Sequence, residues 1–163
     1  MIKILYAEDD AMQAKTCIDY LKRAGYKVVH AADGEQALWL YRRETPDLIL
    51  LDVIMPKMSG FEVAKKIREE DFSTPILFIS SLTHSQHAID GFDLGANDYI
   101  RKEILLDEVV ARVNRWLRNM GMLKVETDFM KISGDVSFNP IRRYLIIKGE
   151  TNQLTPMETR VLK

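Results

Sequence analysis

The sequence predicts an α/β fold, a parallel sheet wound on both faces by helices, and three observations carry it. Five short apolar stretches open at residues 2, 26, 48, 75 and 98. Between them lie segments whose apolar residues recur every three or four positions, the period of an amphipathic helix. The central stretch, Leu48 to Leu51, has four apolar residues in a row with no polar alternation, as a strand covered on both faces requires. Strand–helix alternation of this kind means a doubly wound sheet, and the right-handed crossover rule leaves few ways to wind it.

The elements follow in order. IKILYA (2–7) is the first strand and stops abruptly at Glu8-Asp9-Asp10. Ala14, Cys17, Ile18, Leu21 and Ala24 make a helical stripe that Gly25 ends. YKVVHA (26–31) is the second strand. Asp33 to Gln36 has the form of a capping box and opens a helix through Ala37, Leu38 and Tyr41, with Trp39 off the stripe and Pro46 closing it. The central strand runs into Asp52, and Pro56 stiffens the loop behind it. Gly60 to Ile67 is a third helix with Val63, Ala64 and Ile67 inward. PILFIS (75–80) is the fourth strand. Thr83 to Gln86 resembles another capping box, before a helix through Ala88, Ile89 and Phe92 that Gly95 closes. DYIRK (98–102) is a short fifth strand, and Leu106, Val109, Val110, Val113 and Leu117 define a last helix to about Asn119. The first domain therefore spans 1–120.

Residues 121–131 read as a linker. Val136 to Phe138 and Tyr144 to Ile147 alternate as strands about Asn139-Pro140, Lys148-Gly149 begins another turn, and Gln153-Leu154 follows. Thr155-Pro156-Met157-Glu158 has the cap, the proline and the acidic residue of a helix start. A second, smaller antiparallel unit is expected over 132–163.

Bulk composition excludes little. The 163 residues carry 23 basic and 24 acidic side chains, so net charge favours neither nucleic acid nor an anionic surface. The lone Cys17 cannot form an internal disulfide, which fits a reducing cytoplasm, and it reads as a buried apolar thiol. No apolar run approaches the roughly 18 residues of a membrane span, and no signal peptide precedes the first strand, so a cytoplasmic protein without a membrane partner is expected. His30, with no second His or Cys nearby, reads as structural.

Chemistry gathers at the strand ends. Glu8 and Asp9 follow the first strand, Asp52 the third, Ser80 the fourth, and Lys102 ends the fifth. A parallel sheet puts these ends on one edge, where such folds bind ligands. Clustered carboxylates cannot all stay ionised in a partly buried site without a cation, and hard oxygen ligands suit Mg²⁺. A carboxylate not consumed by the metal can attack phosphorus to give an aspartyl-phosphate. The Lys102 ammonium and the Ser80 hydroxyl would then meet the phosphoryl charge.

The motifs ILYAEDD (4–10), DLILLDVIMPKMSG (47–60), PILFIS (75–80) and GANDYIRK (95–102) strongly resemble the receiver domain of two-component response regulators over residues 2 to 119. The resemblance implies a flavodoxin-like (βα)₅ sheet in the order 2-1-3-4-5, and a sensor histidine kinase that phosphorylates Asp52. It implies that Glu8, Asp9, Asp52 and the backbone carbonyl of Ile54 hold Mg²⁺, that Ser80 is the switch hydroxyl, Lys102 the family's lysine and Tyr99 the aromatic switch residue. Phosphorylation adds about −1.5 to −2 charge. Ser80 is expected to move towards it, with Tyr99 filling the vacated space from an exposed position. The resemblance further implies a homodimer through the fourth helix, fifth strand and fifth helix, with Asp98, Arg101, Glu108, Arg112 and Arg118 as candidate contacts. Residues 134–162 are similar to the opening sheet and first helix of the winged-helix output domain of the OmpR/PhoB-type subfamily. The chain is therefore expected to stop early in a DNA-binding domain whose recognition helix and wing come later, so that only a longer parent binds DNA. Arg142 and Arg143 are too few to track phosphates.

The sequence departs from the family at three places. Glu103 follows Lys102 where proline is usual, and a cis bond to a non-proline residue costs about 2.5–4 kcal/mol. A trans bond with a shifted lysine loop, or a strained exception, is expected. Tyr6-Ala7 replaces an aliphatic pair, and Ala88 stands where a basic residue is frequent. Two other readings compete. An aspartate-nucleophile phosphatase of the haloacid-dehalogenase type would place a second Asp where Ile54 stands, and a phosphorylation-independent interaction module would not need Asp52, Ser80 and Lys102. As a receiver the protein would promote its own phosphorylation and dephosphorylation without being a turnover enzyme.

Overall fold

A computed structural model of the chain describes residues 1–82, 85–103, 105–123, 130–139, 144–148 and 150–153. Thr83 of the fourth-helix capping box, most of the linker, Pro140, Arg142, Arg143, Gly149, Leu154 and the Thr155–Glu158 helix start lie outside the described residues, as does the side chain of Ala88. The chain divides into two compact units, 1–122 and 123–163.

The first unit alternates β1 (Lys3–Ala7), α1 (Ala11–Arg23), β2 (Lys27–Ala31), α2 (Gly34–Glu44), β3 (Leu48–Asp52), α3 (Gly60–Arg68), β4 (Ile76–Ser80), α4 (Ser85–Asp93), β5 (Asp98–Arg101) and α5 (Leu106–Asn119). All five strands are parallel, in the order β2-β1-β3-β4-β5. This is the flavodoxin-like winding. Every residue of β3 and β4 is buried, which is why neither strand shows polar alternation.

Side chains alternate across the sheet. Leu5, Ala7, Ile49, Leu51, Ile76 and Phe78 share one core cluster with Ala37 and Leu40 of α2 and with Val63, Ala64 and Ile67 of α3. The opposite parity, Tyr6 on β1 and Glu8 just beyond its end, Leu50 and Asp52 on β3 and Ile79 on β4, is left for the face where Ala14, Cys17 and Leu21 of α1 and Val109, Val113 and Leu117 of α5 are buried. The apolar spacing thus delivers one carboxylate from β1 and one from β3 to the same side of the same edge.

The local signals operate with small shifts. Asp10 caps α1 by accepting from the Met12 and Gln13 amides. Ala24 is not part of the buried stripe; it is the exposed C-cap, and Gly25 turns the chain at φ +91°. Asp33 accepts from the Gln36 amide, but the Gln36 side chain accepts from Ala32 rather than closing the box on Asp33. A complete capping box stands instead at Ser59 and Glu62, ahead of α3. Trp39 is 54 % exposed beneath the Arg43 guanidinium, 4.9 Å from its ring centroid. Strand β5 ends at Arg101, one residue short of Lys102, although the Lys102 amide still donates to the Ser80 carbonyl at 2.9 Å. Among the described residues no helix is long and apolar enough to cross a membrane.

The second unit contains β6 (Met130–Ser133), β7 (Val136–Asn139), β8 (Tyr144–Ile147) and β9 (Glu150–Gln153), an antiparallel sheet in sequence order. Strand β6 begins inside the stretch read as a linker, and β9 occupies the polar stretch ahead of Leu154. Strand β9 has no apolar residue to mark it, and the four residues of β6 are too short a run to stand out beside the continuous apolar β8.

Gly60 packs the start of α3 directly onto the end of β3. A Cβ there would lie 2.1 Å from the Asp52 carbonyl oxygen, a backbone atom that cannot move aside cheaply. Gly60→Ala is therefore expected to destabilise the first unit by about 1–3 kcal/mol, read as a lower urea midpoint with unchanged slope. An unshifted midpoint would contradict this packing.

Candidate functional site

The C-terminal edge of the five-stranded sheet gathers the charged side chains. Strand β1 delivers Glu8, whose amide donates to Ala31 on β2 at 3.0 Å and whose carbonyl meets His30 Nε2 at 2.9 Å. His30 thus has a structural role at this edge. Glu8 is fully buried and Asp52 is 3 % exposed, whereas Asp9 faces solvent. Lys102, just beyond β5, extends its ammonium between the two buried acids. Its Nζ lies 2.6 Å from Asp52 Oδ2, 2.9 Å from Glu8 Oε1 and 2.8 Å from Glu8 Oε2. The Lys102–Glu103 bond is trans, and the ammonium reaches Asp52 all the same.

Two acids surround one ammonium, and Asp9 adds a third. One oxygen from each of Glu8, Asp9 and Asp52 lies within 4.8 Å of the others. Burial pushes the Asp52 carboxyl above its ordinary range, outweighing the hydrogen bond and charge of Lys102 that pull the other way. Burial also works against the Lys102 ammonium, but its bonds to Asp52 and Glu8 prevail and hold it above the usual lysine value. The net negative charge, the oxygen-only donor set and one solvent-facing member fit a hard divalent cation.

Further contacts fix the acids. The Ile54 amide donates to Asp52 Oδ1 at 3.2 Å, leaving the Lys102-bound Oδ2 on the other side of the carboxylate. Glu8 Oε1 accepts from the Asp10 amide at 3.3 Å, and Glu8 Oε2 from the Tyr6 hydroxyl at 3.0 Å. In the sequence Tyr6 shows only as a departure from the family. The missed signal is its position, two residues before Glu8 on the same strand and therefore on the same face. Cys17 is buried, and burial raises its thiol to about 11, as befits a packing residue.

Ser80 is fully buried at the end of β4, and its Oγ accepts from the Leu82 amide at 3.2 Å. Tyr99 does not take the exposed resting position expected for it; it is partly buried. Its ring centroid lies 6.2 Å from that of Phe78, and its hydroxyl donates to the Leu82 carbonyl at 3.3 Å. The inward position is favoured because Gly91 leaves room for both rings: a Cβ there would sit 3.1 Å from Phe78 and 3.4 Å from Tyr99. Ser80 and Tyr99 thus both bond to Leu82, one through its amide and the other through its carbonyl.

Of the expected contact residues, three are joined within the chain. Arg112 bonds Asp98 at 2.9 Å and Glu108 at 2.7 Å. Arg101 and Arg118 are exposed.

A family model for the response regulator receiver domain matches residues 4–114. The chain belongs to the response regulator receiver family. Curated relatives extend the match over 99 % of this chain. The Bacillus subtilis alkaline phosphatase synthesis transcriptional regulatory protein PhoP is 35 % identical over 170 residues, 71 % of its length. The probable transcriptional regulatory protein TcrX of Mycobacterium tuberculosis is 30 % identical over 162 residues, 69 % of its length. Among solved structures, the BeF₃-activated N-terminal receiver domain of Klebsiella pneumoniae RstA is 32 % identical with a TM-score of 0.69, covering 71 % of this chain and 98 % of that one. With relatives of the OmpR/PhoB type, this receiver-family chain is a two-component transcriptional response regulator.

A carboxyl whose pKa is raised in the folded state is worse off ionised there than in the unfolded chain. For Asp52 that penalty is full above its raised folded value and vanishes below the ordinary carboxylate range. Asp52→Asn keeps the shape and removes the buried charge. Its single oxygen can accept from Lys102 or from Ile54 but not from both, and Lys102 keeps its pairing with Glu8. The variant is therefore expected to raise the melting midpoint of this receiver near neutral pH in EDTA. A midpoint that falls instead would mean that the Lys102 bond outweighs burial.

Proposed function

We propose that this response regulator accepts a phosphoryl group on Asp52 from a sensor histidine kinase, with Mg²⁺ held by Glu8, Asp9, Asp52 and the Ile54 carbonyl, and that the modification drives a change at Ser80 and Tyr99. The observation that carries the reading is the Lys102 ammonium 2.6 Å from Asp52 Oδ2, beside two further carboxylates on the same edge.

An Asp52 oxygen forms the new bond to phosphorus as the P–N bond of the donor phosphohistidine breaks. The electron pair returns to the departing imidazole nitrogen, which is protonated from solvent. Bound Mg²⁺ would neutralise charge developing on the phosphoryl oxygens. Lys102 offers them a cation already at the nucleophile, and burial strengthens each such contact. The Ile54 amide holds the other Asp52 oxygen, which orients the carboxylate. Because the covalent product remains on the protein, the domain acts once per phosphoryl group.

Signal output follows from charge. Ser80 gives up its bond with the Leu82 amide to donate to the phosphoryl oxygens. The Leu82 segment moves with it, and the Tyr99 hydroxyl follows the Leu82 carbonyl. Shifting a two-state equilibrium from 1:99 to 99:1 takes about 5.5 kcal/mol, which several charge-assisted contacts together can supply. The surface that changes is that of α4, β5 and α5, where Asp98, Arg101, Glu108, Arg112 and Arg118 would re-pair across a homodimer. In our reading residues 1–120 are the receiver, 121–131 the linker and 132–163 the opening of a winged-helix output domain. DNA recognition would belong to the whole regulator, in the cytoplasm.

Incubation with acetyl phosphate and Mg²⁺ is expected to add a single phosphoryl group, detected by intact mass and lost in Asp52→Ala. Lys102→Ala should slow the addition on the order of 100-fold. An adduct that persists in Asp52→Ala would refute the assignment. Ser80→Ala should still accept the group but lose the accompanying change in the Tyr99 ring resonances and in self-association. Loss of neither would leave Ser80 outside the switch.

A further inference from the structure

We infer that Tyr6 is a positioning residue for the cation site, its hydroxyl holding the Glu8 carboxylate in the plane needed to serve Mg²⁺ and Lys102 at once. The inference rests on the reading of Glu8, Asp9 and Asp52 as the metal-binding set.

Tyr6 and Glu8 are alternate residues of β1 and its extension, so both point to the α1/α5 side of the sheet. The phenol is 2 % exposed and the carboxylate 0 %. A tyrosine hydroxyl at that depth requires a partner, and Glu8 Oε2 is one, at 3.0 Å. Glu8 in turn has its oxygens divided among three donors: Lys102 reaches both, the Asp10 amide reaches Oε1, and Tyr6 reaches Oε2.

Tyr6 is the donor of these that the chemistry cannot redirect. The lysine must shift towards an incoming phosphoryl group, and the Asp10 amide is at the long end of hydrogen bonding, 3.3 Å. When Lys102 shifts, the phenol still fixes the carboxylate torsion. Without the phenol the carboxylate torsion is free to follow the ammonium as it shifts, and the edge offered to a cation is no longer fixed. Residues that hydrogen-bond metal-ligating carboxylates in this way govern metal affinity by about 10–100-fold. An aliphatic residue at this position would leave that orientation to the lysine and the long Asp10 amide contact.

The test is a Mg²⁺ titration of the full chain, followed by amide NMR shifts and by isothermal calorimetry, with melting midpoints in EDTA alongside. Tyr6→Phe removes one oxygen and retains the ring. Tyr26→Phe is the control, because the Tyr26 hydroxyl bonds the Asn114 side chain on α5, and Tyr26 precedes β2 at the opposite end of the strand. Tyr6→Phe is expected to weaken Mg²⁺ binding by about tenfold or more, while Tyr26→Phe binds as the parent does whatever its midpoint. The maximal rate of phosphorylation from acetyl phosphate should recover at saturating Mg²⁺, which moves the defect to the Mg²⁺ requirement. Should Tyr6→Phe melt too low to titrate, Tyr6→Leu lacks the same donor and must show the same weakening. A Mg²⁺ affinity within about twofold of the parent in the folded variant, well short of the tenfold loss expected, would overturn the role of Tyr6 and leave the site reading intact. A parent chain that binds no Mg²⁺ would overturn both.

Discussion

The architecture turns on one ammonium shared by two buried acids. Lys102 Nζ lies 2.6 Å from Asp52 and 2.8 Å from Glu8, and an unpaired carboxylate at that depth would cost several kcal/mol. Three strands must end together for this to happen. The β1–β3–β4–β5 register aligns Ala7 with Leu51, Asp52 with Ile79 and Ile79 with Ile100, so Glu8 and Asp52 leave their strands at one level. Lys102 follows two residues further along, just past β5, from where its long side chain reaches the acids. The lysine does not balance the acids. It leaves a surplus of negative charge in a partly dry place, and that surplus suits a dication and disfavours an idle state.

From that centre one line of contacts leads outward. Ser80 touches the amide of Leu82, Tyr99 touches its carbonyl, and the Tyr99 ring rests on Phe78, which stands edge-on to Phe61 at 4.9 Å. A polar displacement at the sheet edge is thereby coupled to aromatic packing on the opposite face from Glu8 and Asp52. The acid–lysine cluster lies on the α1/α5 side, while Phe78 belongs to the α2/α3 cluster. The end of β4 is where the two sides meet.

Much of this is legible in the sequence. Uninterrupted apolar runs reveal β3 and β4, because burial on both faces removes alternation. The abrupt change from Ala7 to Glu8 and from Leu51 to Asp52 marks the functional edge. The inward lodging of Tyr99 is not legible, since it depends on the space beside Gly91, which lies on α4 rather than on the strand that carries the tyrosine. Tyr6 is visible as an oddity but not as a partner of Glu8, because a hydrogen bond between alternate residues of one strand leaves no periodic trace. Strand β9 is hidden because its four residues are all polar, and β6 because four residues with two apolar ones are too short a run to establish a period.

Arg68 is equally hidden, and it bears on how far any motion can travel. Its guanidinium holds the Asp71, Thr74 and Gly95 carbonyls and the Asn97 side chain, at 2.8, 2.9, 3.0 and 3.2 Å. A planar five-donor fork can bridge so many acceptors where a lysine could not. The turn between α4 and β5 is therefore riveted to the end of α3, while the start of α4 follows the Leu82 segment along the chain. A nine-residue helix is about 14 Å long, so with its C-terminal end pinned any tilt of α4 would carry its N-terminal end furthest and the rivet least.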